Sequence, residues 1–254
     1  MSDVVSKISE VQVVYFNAIG YETFENVWGT WNGINERDGE ALRRVGHLLR
    51  YFGRRGFLQS SDWTPFTVEG LQMRQGVFVS AFPSPSGEEV MYAFVNRKMA
   101  PSSGPQLLSS KAATPGIRFY DCYRGLELTP DTRTQTLSFE VEGGGFGCVL
   151  ATKNATALSS ARRLDEAELR GEAPVQPANL SSLLGVMAAL TARSLGSFSG
   201  ETRYGLQTMT PIEPTPLRPL HNASPSEVYV HGGLFQFDAG GVEVESAAGS
   251  GCDV

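Results

Sequence analysis

The chain has 254 residues, of which 41% are hydrophobic and 19% charged, and its 21 basic and 27 acidic residues give a formal net charge of −6. This length supports one large domain or two small ones, and the acidic balance excludes the basic surface by which proteins hold nucleic acid. No segment approaches the ~20 consecutive apolar residues of a membrane helix, and residues 1–10 are too polar for a signal peptide, so we expect no membrane partner and, by default, a cytoplasmic location.

The first predicted element is a buried strand over residues 11–16, where β-branched and apolar residues follow one another towards a break at Gly20. A loop rich in acidic and aromatic side chains comes next. Carboxylates just beyond the carboxyl end of a strand, set among tryptophans, are typical of barrel enzymes that cleave glycosidic bonds. The loop therefore supplies candidate catalytic residues, Glu22 and Glu25, and candidate substrate-binding residues, Trp28, Trp31 and Asn32.

A purely structural role for the same loop stays open. Trp28 and Trp31 would then be core or interface residues, and Glu22 and Glu25 would be solvated or helix-capping carboxylates. One strand followed by two acids does not decide between these roles.

The next predicted element is an amphipathic helix that begins after the capping residue Asn35 and ends at Gly53. Its apolar positions recur with the helical period, and they are Leu42, Val45, Leu48, Leu49 and Phe52. Strand, loop and helix make one βα unit, which needs neighbouring units to bury its faces. We therefore expect a piece of a longer protein, with an exposed strand edge and apolar stripe that favour self-association.

Residues 70–152 predict an antiparallel β-sandwich, because short alternating runs are separated by turns. The runs are 76–82, 89–96, 117–121, 136–142 and 146–152. The first two form a hairpin around the turn at residues 83–87. The segment Gly143–Gly145 predicts a hairpin turn and not a phosphate loop, since neither a lysine nor a helix follows it.

Several side chains outside the loop also have chemical potential. Four charged residues around the third run form either a ligand contact or a solvated face, and they are Arg118, Asp121, Arg124 and Glu127. The cysteines Cys122, Cys148 and Cys252 lack metal-ligand and redox spacing. We therefore expect no metal, no cofactor and no disulfide scaffold, with Cys122 and Cys148 as buried free thiols.

The last third of the chain predicts a linker and the beginning of a further domain. A helix capped by Asn179 has an apolar stripe that indicates packing and not a cofactor site. Residues 211–225 are rich in proline and extended. An alternating strand pair then begins at Val228, close to the end of the chain.

Five stretches together resemble a known architecture: residues 16–34, 37–44 and 61–65 in the first part of the chain, and 228–237 and 241–245 near its end. The first three resemble a segment of large multidomain proteins. Those proteins join a glycoside-hydrolase-like barrel and a β-sandwich to a C-terminal domain of the formylglycine-generating enzyme (sulfatase-modifying factor) family. The last two stretches resemble the opening strands of that C-terminal domain.

The resemblance implies a fold and a domain order. The fold class is α+β and β-rich, with a partial (β/α) barrel unit, an antiparallel β-sandwich, a helical linker and the first strands of a truncated domain. The implied segments are a barrel remnant at 1–60, the sandwich at 70–152, the helical and proline-rich linker at 153–225, and the start of a formylglycine-generating-enzyme-like domain at 226–254.

The resemblance also implies a function, which is that of a fragment of a carbohydrate-related multidomain protein with carbohydrate as its partner. Glu22 or Glu25 stands where a barrel nucleophile would stand, but retaining hydrolysis needs a second carboxyl group about 5 Å away, and no earlier strand supplies one. The reactive cysteines and copper centre of the C-terminal family have no counterpart in residues 228–254. We therefore expect the isolated chain to be inactive. The alternative is a non-catalytic sugar- or protein-binding sandwich that uses Trp28 and Trp31.

Overall fold

The computed structural model describes residues 7–20, 35–109, 111, 114–154 and 177–199, and the backbone of residues 228–230 and 233–235. The chain divides into two compact units, Met1–Gly205 and Leu206–Val254. The described part of the first unit combines antiparallel sheets with a few helices. The fold class is therefore α+β and β-rich, as the sequence predicts.

The described elements of the first unit follow one another as helices, then strands, then a further helix. The helices are α1 (Ile8–Phe16), α2 (Glu36–Arg54) and α3 (Leu180–Thr191), with single 3₁₀ turns at Phe57–Gln59, Met73–Gln75 and Leu195–Ser197. The strands are β1 (Val77–Pro83), β2 (Val90–Asn96), β3 (Pro105–Leu108), β4 (Arg118–Asp121), β5 (Leu126–Leu128), β6 (Thr136–Ser138) and β7 (Phe146–Thr152). In the second unit, β8 (Val228–Val230) pairs with β9 (Gly233–Phe235), where the sequence predicts a strand pair.

The strand predicted over residues 11–16 is wrong, because these residues belong to helix α1. Val11, Val14 and Tyr15 recur three and four positions apart and are buried. Val13, which a strand would place on the same face as Val11 and Tyr15, is 51% exposed. A short apolar run is compatible with the period of a helix and with that of a strand, so tertiary contacts decide which of the two forms. One such contact is the hydrogen bond that the Tyr15 hydroxyl donates to the Gly147 carbonyl at 2.9 Å.

The consequence is that no barrel strand leads into the acidic and aromatic loop. The predicted partial (β/α) barrel unit is therefore wrong for residues 8–16. Because these residues form a helix, they also provide no exposed strand edge for the self-association expected from the sequence. The apolar stripe of α2 is not exposed either, since Val45, Leu48 and Phe52 are fully buried.

Helix α2 follows its sequence prediction to within one residue. The Asn35 side chain accepts a hydrogen bond from the Asp38 backbone N–H at 2.7 Å, which is the expected N-cap geometry. The helix continues one residue beyond Gly53, to Arg54. Gly56 then turns the chain with a φ of 81°, a conformation that glycine adopts without steric cost.

The larger sheet has five antiparallel strands in the order β1-β2-β7-β4-β5. The first two strands form the predicted hairpin, with Val79 opposite Phe94. Strand β7 lies between β2 and β4, with Val149 opposite Tyr92. Strands β3 and β6 form a separate antiparallel pair.

The two faces of the larger sheet bury different partners. Residues of β2 alternate between them: Met91 lies in a cluster with the helices, whereas Tyr92 lies in a cluster with the β3–β6 pair. The helical cluster includes Tyr15, Phe52, Leu150 and Leu183, and the second cluster includes Val79, Leu107, Leu137 and Val149. The helices and both sheets of the first unit thus share a continuous set of packed layers.

The segment Gly143–Gly145 is a tight turn before β7, but the predicted hairpin is wrong, because β6 pairs with β3 whereas β7 pairs with β2 and β4. The Gly145 N–H donates to the Glu142 carbonyl at 3.0 Å. A Cβ atom on Gly143 would lie 1.7 Å from the Met99 carbonyl oxygen. Glycine is therefore needed for close backbone packing at this turn.

Asp121, at the end of β4, is a buried acid that holds the turn into β5. Its carboxylate accepts hydrogen bonds from the backbone N–H groups of Tyr123 at 3.0 Å and Arg124 at 2.9 Å. Burial disfavours the charged form more than these bonds favour it, and it raises the pKa of Asp121 to about 6.

Replacing Asp121 with asparagine is expected to change how stability depends on pH. Because the pKa is higher in the folded chain than in an unfolded one, the stability from this group is full below about pH 4 and is lost as pH rises through about 6. Relative to Asp121→Asn, the wild-type free energy of unfolding should fall by about 2 to 3 kcal/mol between about pH 4 and about pH 7. Urea denaturation of both proteins across this range measures the difference.

Asp131→Asn is the matched control for this experiment. Asp131 also accepts two backbone N–H bonds, from Arg133 at 2.8 Å and Thr134 at 2.9 Å, but it is exposed. These bonds lower the pKa of its carboxyl, so its contribution has the opposite sign and is lost as pH falls. Parallel pH profiles for wild type and Asp121→Asn would show that burial of Asp121 has no such effect.

Candidate functional site

A groove of about 360 Å³ opens between helix α1, the segment before β1, and the ends of β1 and β2. Its volume lies within the range of about 300 to 1,000 Å³ that is typical of small-molecule sites. Four parts of the chain line it, with the residues Gln12, Val13, Phe16, Asn17, Phe66, Phe78, Val95 and Arg97. We call this feature the α1 groove.

Three phenylalanine rings form an aromatic wall in the α1 groove. The ring centroids of Phe16 and Phe66 are 4.8 Å apart, and those of Phe66 and Phe78 are 5.8 Å apart with the rings nearly perpendicular. Phe66 is 54% exposed, so a large part of its ring is open to a ligand. Exposed aromatic faces of this kind suit the C–H faces of sugars and other amphipathic molecules.

The backbone on either side explains why Phe66 is held in this exposed position. The Thr64 N–H donates to the Ala81 carbonyl at 2.9 Å, and the Thr67 N–H donates to the Val79 carbonyl at 3.0 Å. Both neighbours thus pair with the edge of β1. Phe66 between them has a φ of +52°, which costs a bulky side chain about 1 kcal/mol or more. Strain of this kind is concentrated at functional sites in proteins.

A buried amide and an exposed guanidinium form the polar side of the α1 groove. Gln12 is 2% exposed, and its Nε2 donates to the carbonyls of Asn96 at 2.8 Å and Gly145 at 3.3 Å. Its Oε1 accepts a hydrogen bond from Nη1 of Arg97 at 3.2 Å. Asn17, at the end of α1, adds a second amide. The groove therefore offers apolar contact beside hydrogen-bonding groups.

The described lining of the α1 groove carries groups that are suited to ligand binding. Its lining among the described residues contains no carboxylate, imidazole or thiol. General acid–base and nucleophilic catalysis depend mainly on those groups. What these described side chains provide is stacking, amide hydrogen bonding and one positive charge.

The residues predicted as the site from sequence, Glu22, Glu25, Trp28, Trp31 and Asn32, all lie in the segment 21–34, outside the described residues. Their roles stay predictions. The reasoning that placed Glu22 and Glu25 at the carboxyl end of a strand is wrong, however, because α1 precedes them.

The four charged residues around β4 are not brought into one site. Arg118 and Glu127 form an exposed ion pair at 3.2 Å, and Arg124 pairs with Glu140 at 2.8 Å. Asp121 is buried and holds a turn. The solvated-face interpretation is therefore confirmed for the two arginines and Glu127.

Cys122 and Cys148 are buried free thiols, as predicted. Burial raises the pKa of the Cys122 thiol, which keeps it protonated and unreactive. Within the described ranges, no three histidine, cysteine, aspartate or glutamate side chains are grouped so that they could hold a metal ion. Nor does the described part of the chain contain a helix with the length and apolar character needed to cross a membrane.

Sequence reasoning missed the α1 groove because its residues are scattered along the chain. Phe66 lies in a segment for which the sequence predicts neither a helix nor a strand, and Gln12 lies inside an apolar run that predicts a strand. The available signal was Gln12, a glutamine within an apolar stretch.

Comparison with known proteins finds no matching family model and no matching curated protein. Solved structures of glycoside hydrolases are similar in part. An α-amylase from Anoxybacillus aligns with a TM-score of 0.40 and 10% identity, covering 59% of this chain and 33% of that one. A putative α-galactosidase/melibiase from Bacteroides fragilis aligns with a TM-score of 0.34 and 14% identity, covering 59% of this chain and 28% of that one.

This chain therefore spans about a third or less of the length of these two enzymes. Both TM-scores are below 0.5, so neither alignment defines the fold of this chain or carries an argument about its activity. The resemblance of residues 226–254 to the formylglycine-generating enzyme family finds no support in any of these comparisons.

Proposed function

We propose that this chain is a non-catalytic, carbohydrate-binding part of a larger carbohydrate-related protein, and that the α1 groove is where the sugar binds. The observation that carries the proposal is the aromatic wall of Phe16, Phe66 and Phe78 beside the polar groups of Gln12 and Arg97. Sugars expose C–H faces that stack on aromatic rings and hydroxyl groups that bond to amides, so they need both kinds of surface together.

The non-catalytic part of the proposal follows from the chemistry of the groove. Glycoside hydrolysis uses two carboxyl groups on opposite sides of the bond that is cleaved, separated by roughly 5 to 9.5 Å. The described lining of the α1 groove offers amides, a guanidinium and apolar side chains instead. If Glu22 or Glu25 acts as a catalytic carboxylate, its partner is not among the described residues that line the groove.

The finer domain assignment belongs to the same proposal. The two facing sheets of residues 77–152 support a sandwich-like accessory domain, and the resemblance of residues 16–44 supports a glycoside-hydrolase-related parent. The barrel remnant at 1–60 and the modifying-enzyme start at 226–254 rest on sequence resemblance alone. A helix at residues 8–16 weakens the first of these assignments.

Phe66→Ala is expected to weaken glycan binding about tenfold, because loss of a stacking ring removes roughly 1.4 kcal/mol of contact. Isothermal titration calorimetry against a panel of soluble plant and bacterial polysaccharide fragments measures the affinity. The unfolding midpoint should not fall, because alanine removes a half-exposed ring and not a core residue.

Trp63→Ala is the matched control, since Trp63 is also an exposed aromatic residue in the same segment but does not line the α1 groove. Its ring stacks on Phe82 at 6.0 Å. This variant should bind glycans like the wild type. Unchanged binding by Phe66→Ala, or the absence of binding by the wild type to every glycan in the panel, would count against the proposed site.

A further inference from the structure

We infer that the α1 groove selects sugars with an anionic substituent, a carboxylate or a sulfate, and that Arg97 is the residue that recognises the anion. The inference rests on the proposed function and names its ligand class. Arg97 is the one charged residue among the described residues that line the groove. A carboxylate or sulfate forms an ion pair with this cation in addition to a hydrogen bond, whereas a neutral hydroxyl forms only the hydrogen bond.

A buried amide fixes the position of Arg97. Gln12 is 2% exposed, and both ends of its amide are engaged: Nε2 bonds to two backbone carbonyls, and Oε1 accepts from Arg97 Nη1 at 3.2 Å. Nη1 also donates to the Ser9 carbonyl at 3.4 Å. Helix α1 thus accepts the hydrogen bonds of one amino group of an otherwise exposed guanidinium. This contact restricts the Arg97 side chain, so less side-chain conformational entropy is lost when an anion binds.

The remaining geometry of Arg97 suits an oxyanion. Its hydrogen bonds to the described side chains and carbonyls leave from Nη1, which keeps the Nε–Nη2 edge of the guanidinium for other partners. Two parallel N–H groups match the two oxygens of a carboxylate or sulfate. A neutral hydroxyl uses only one of them.

The net charge of the chain does not favour an acidic ligand, so binding of an anion must depend on the charges within the α1 groove. The formal net charge of −6 gives no general attraction for an acidic glycan. The described lining, in contrast, has one positive charge and no carboxylate. The rings of Phe16 and Phe66 line the same groove and add apolar contact to the ion pair. Binding of an acidic sugar should therefore depend on Arg97 and not on overall electrostatics.

The test compares each acidic sugar with its neutralised form on the full chain. Calorimetry uses oligogalacturonate, hyaluronan fragments and oligomannuronate, each with its methyl ester, and a carrageenan oligosaccharide with its desulfated form. At least one acidic form should bind roughly tenfold more tightly than its neutral counterpart at low salt, with the preference falling as salt is raised. The carboxylate and sulfate arms show which anion the groove takes.

Variants separate recognition by Arg97 from general charge. Arg97→Gln should lose the preference, so that the acidic and neutral forms bind with the same affinity. Arg97→Lys should keep only part of the preference, because an ammonium group lacks the two parallel N–H donors of a guanidinium. Lys98→Gln removes a neighbouring positive charge that does not line the groove, and it should bind like the wild type.

The outcomes distinguish this inference from the proposed function. Equal binding of acidic and neutral forms, with both weakened by Phe66→Ala, would overturn the selectivity and keep the carbohydrate site. A preference that survives Arg97→Gln would also overturn it. Failure of every sugar to bind would overturn the inference and the proposed function together.

Discussion

Gly125→Ala is expected to lower the free energy of unfolding by about 3 to 5 kcal/mol. Gly125 lies in the turn between β4 and β5 with a φ of 72°, a conformation that strains every residue with a Cβ. The added Cβ would lie 2.2 Å from the Leu184 carbonyl oxygen and 2.8 Å from the Ala188 Cβ, both on helix α3. A helix backbone does not yield locally, so α3 must move away from the sheet and loosen the core. Urea denaturation measures the loss.

Gly87→Ala is the matched control for the steric part of this effect. Gly87 has nearly the same φ, 71°, but a Cβ there would meet no atom within 4 Å. It should therefore show only the conformational cost, about 1 kcal/mol. Equal losses in the two variants would show that α3 does not press on Gly125, and that the contact between the turn and the helix contributes little.

The sequence was sufficient for elements whose signals are local. Asn35 caps α2, because an amide at this position accepts a backbone N–H in isolation from the rest of the fold. The hairpin of β1 and β2 follows from alternation around a turn. In both cases the local sequence pattern is unambiguous and has a clear boundary, and the tertiary contacts agree with it.

Helix α1 shows where such reasoning fails. The residues Val11, Val13, Val14 and Tyr15 have high strand propensity, and the run is too short for its period to be unambiguous. What makes it a helix is long-range: Gln12 and Tyr15 bond to carbonyls more than 80 positions away along the chain. The sequence around Gln12 and Tyr15 does not identify these distant hydrogen-bond partners.

The candidate site was less predictable than the fold. Phe66 reaches the α1 groove only because β1 pairs with residues on both sides of it. Arg97 is held by a hydrogen bond to Gln12, and Gln12 lies on helix α1, which the sequence assigns as a strand. The sequence drew attention instead to Glu22 and Trp28, which stand out by composition. A site assembled by strand pairing and helix packing leaves no motif in the sequence.

A buried ion pair at the junction of α2 and the segment after α3 is the other feature whose loss should be large. Arg44 is fully buried, and its Nε donates to Oε1 of Glu40 at 2.7 Å. Its Nη2 donates to the Arg193 carbonyl at 2.7 Å, and its guanidinium lies 5.7 Å from the centre of the Phe198 ring. The pair thus ties α2 to the chain that follows α3.

Glu40→Leu is expected to lower the free energy of unfolding by about 3 to 5 kcal/mol, because it leaves the buried Arg44 guanidinium without its anion. Glu40 is 7% exposed, so water cannot replace the lost carboxylate. Thermal and urea denaturation measure the effect. Glu127→Gln is the surface control, since the Arg118–Glu127 pair is exposed on both sides, and its removal should leave the unfolding midpoint unchanged.

The double variant Glu40→Leu/Arg44→Met separates the attraction within the pair from the cost of an unpaired charge. Removing both charges leaves an apolar contact in place of a buried cation, so the double variant should be more stable than Glu40→Leu alone by about 1 kcal/mol or more. It should remain less stable than the wild type, because the Arg193 carbonyl loses the N–H that satisfies it. If the loss in the double variant instead equals the sum of the losses in Glu40→Leu and Arg44→Met, then Glu40 and Arg44 contribute through separate contacts and not as a pair.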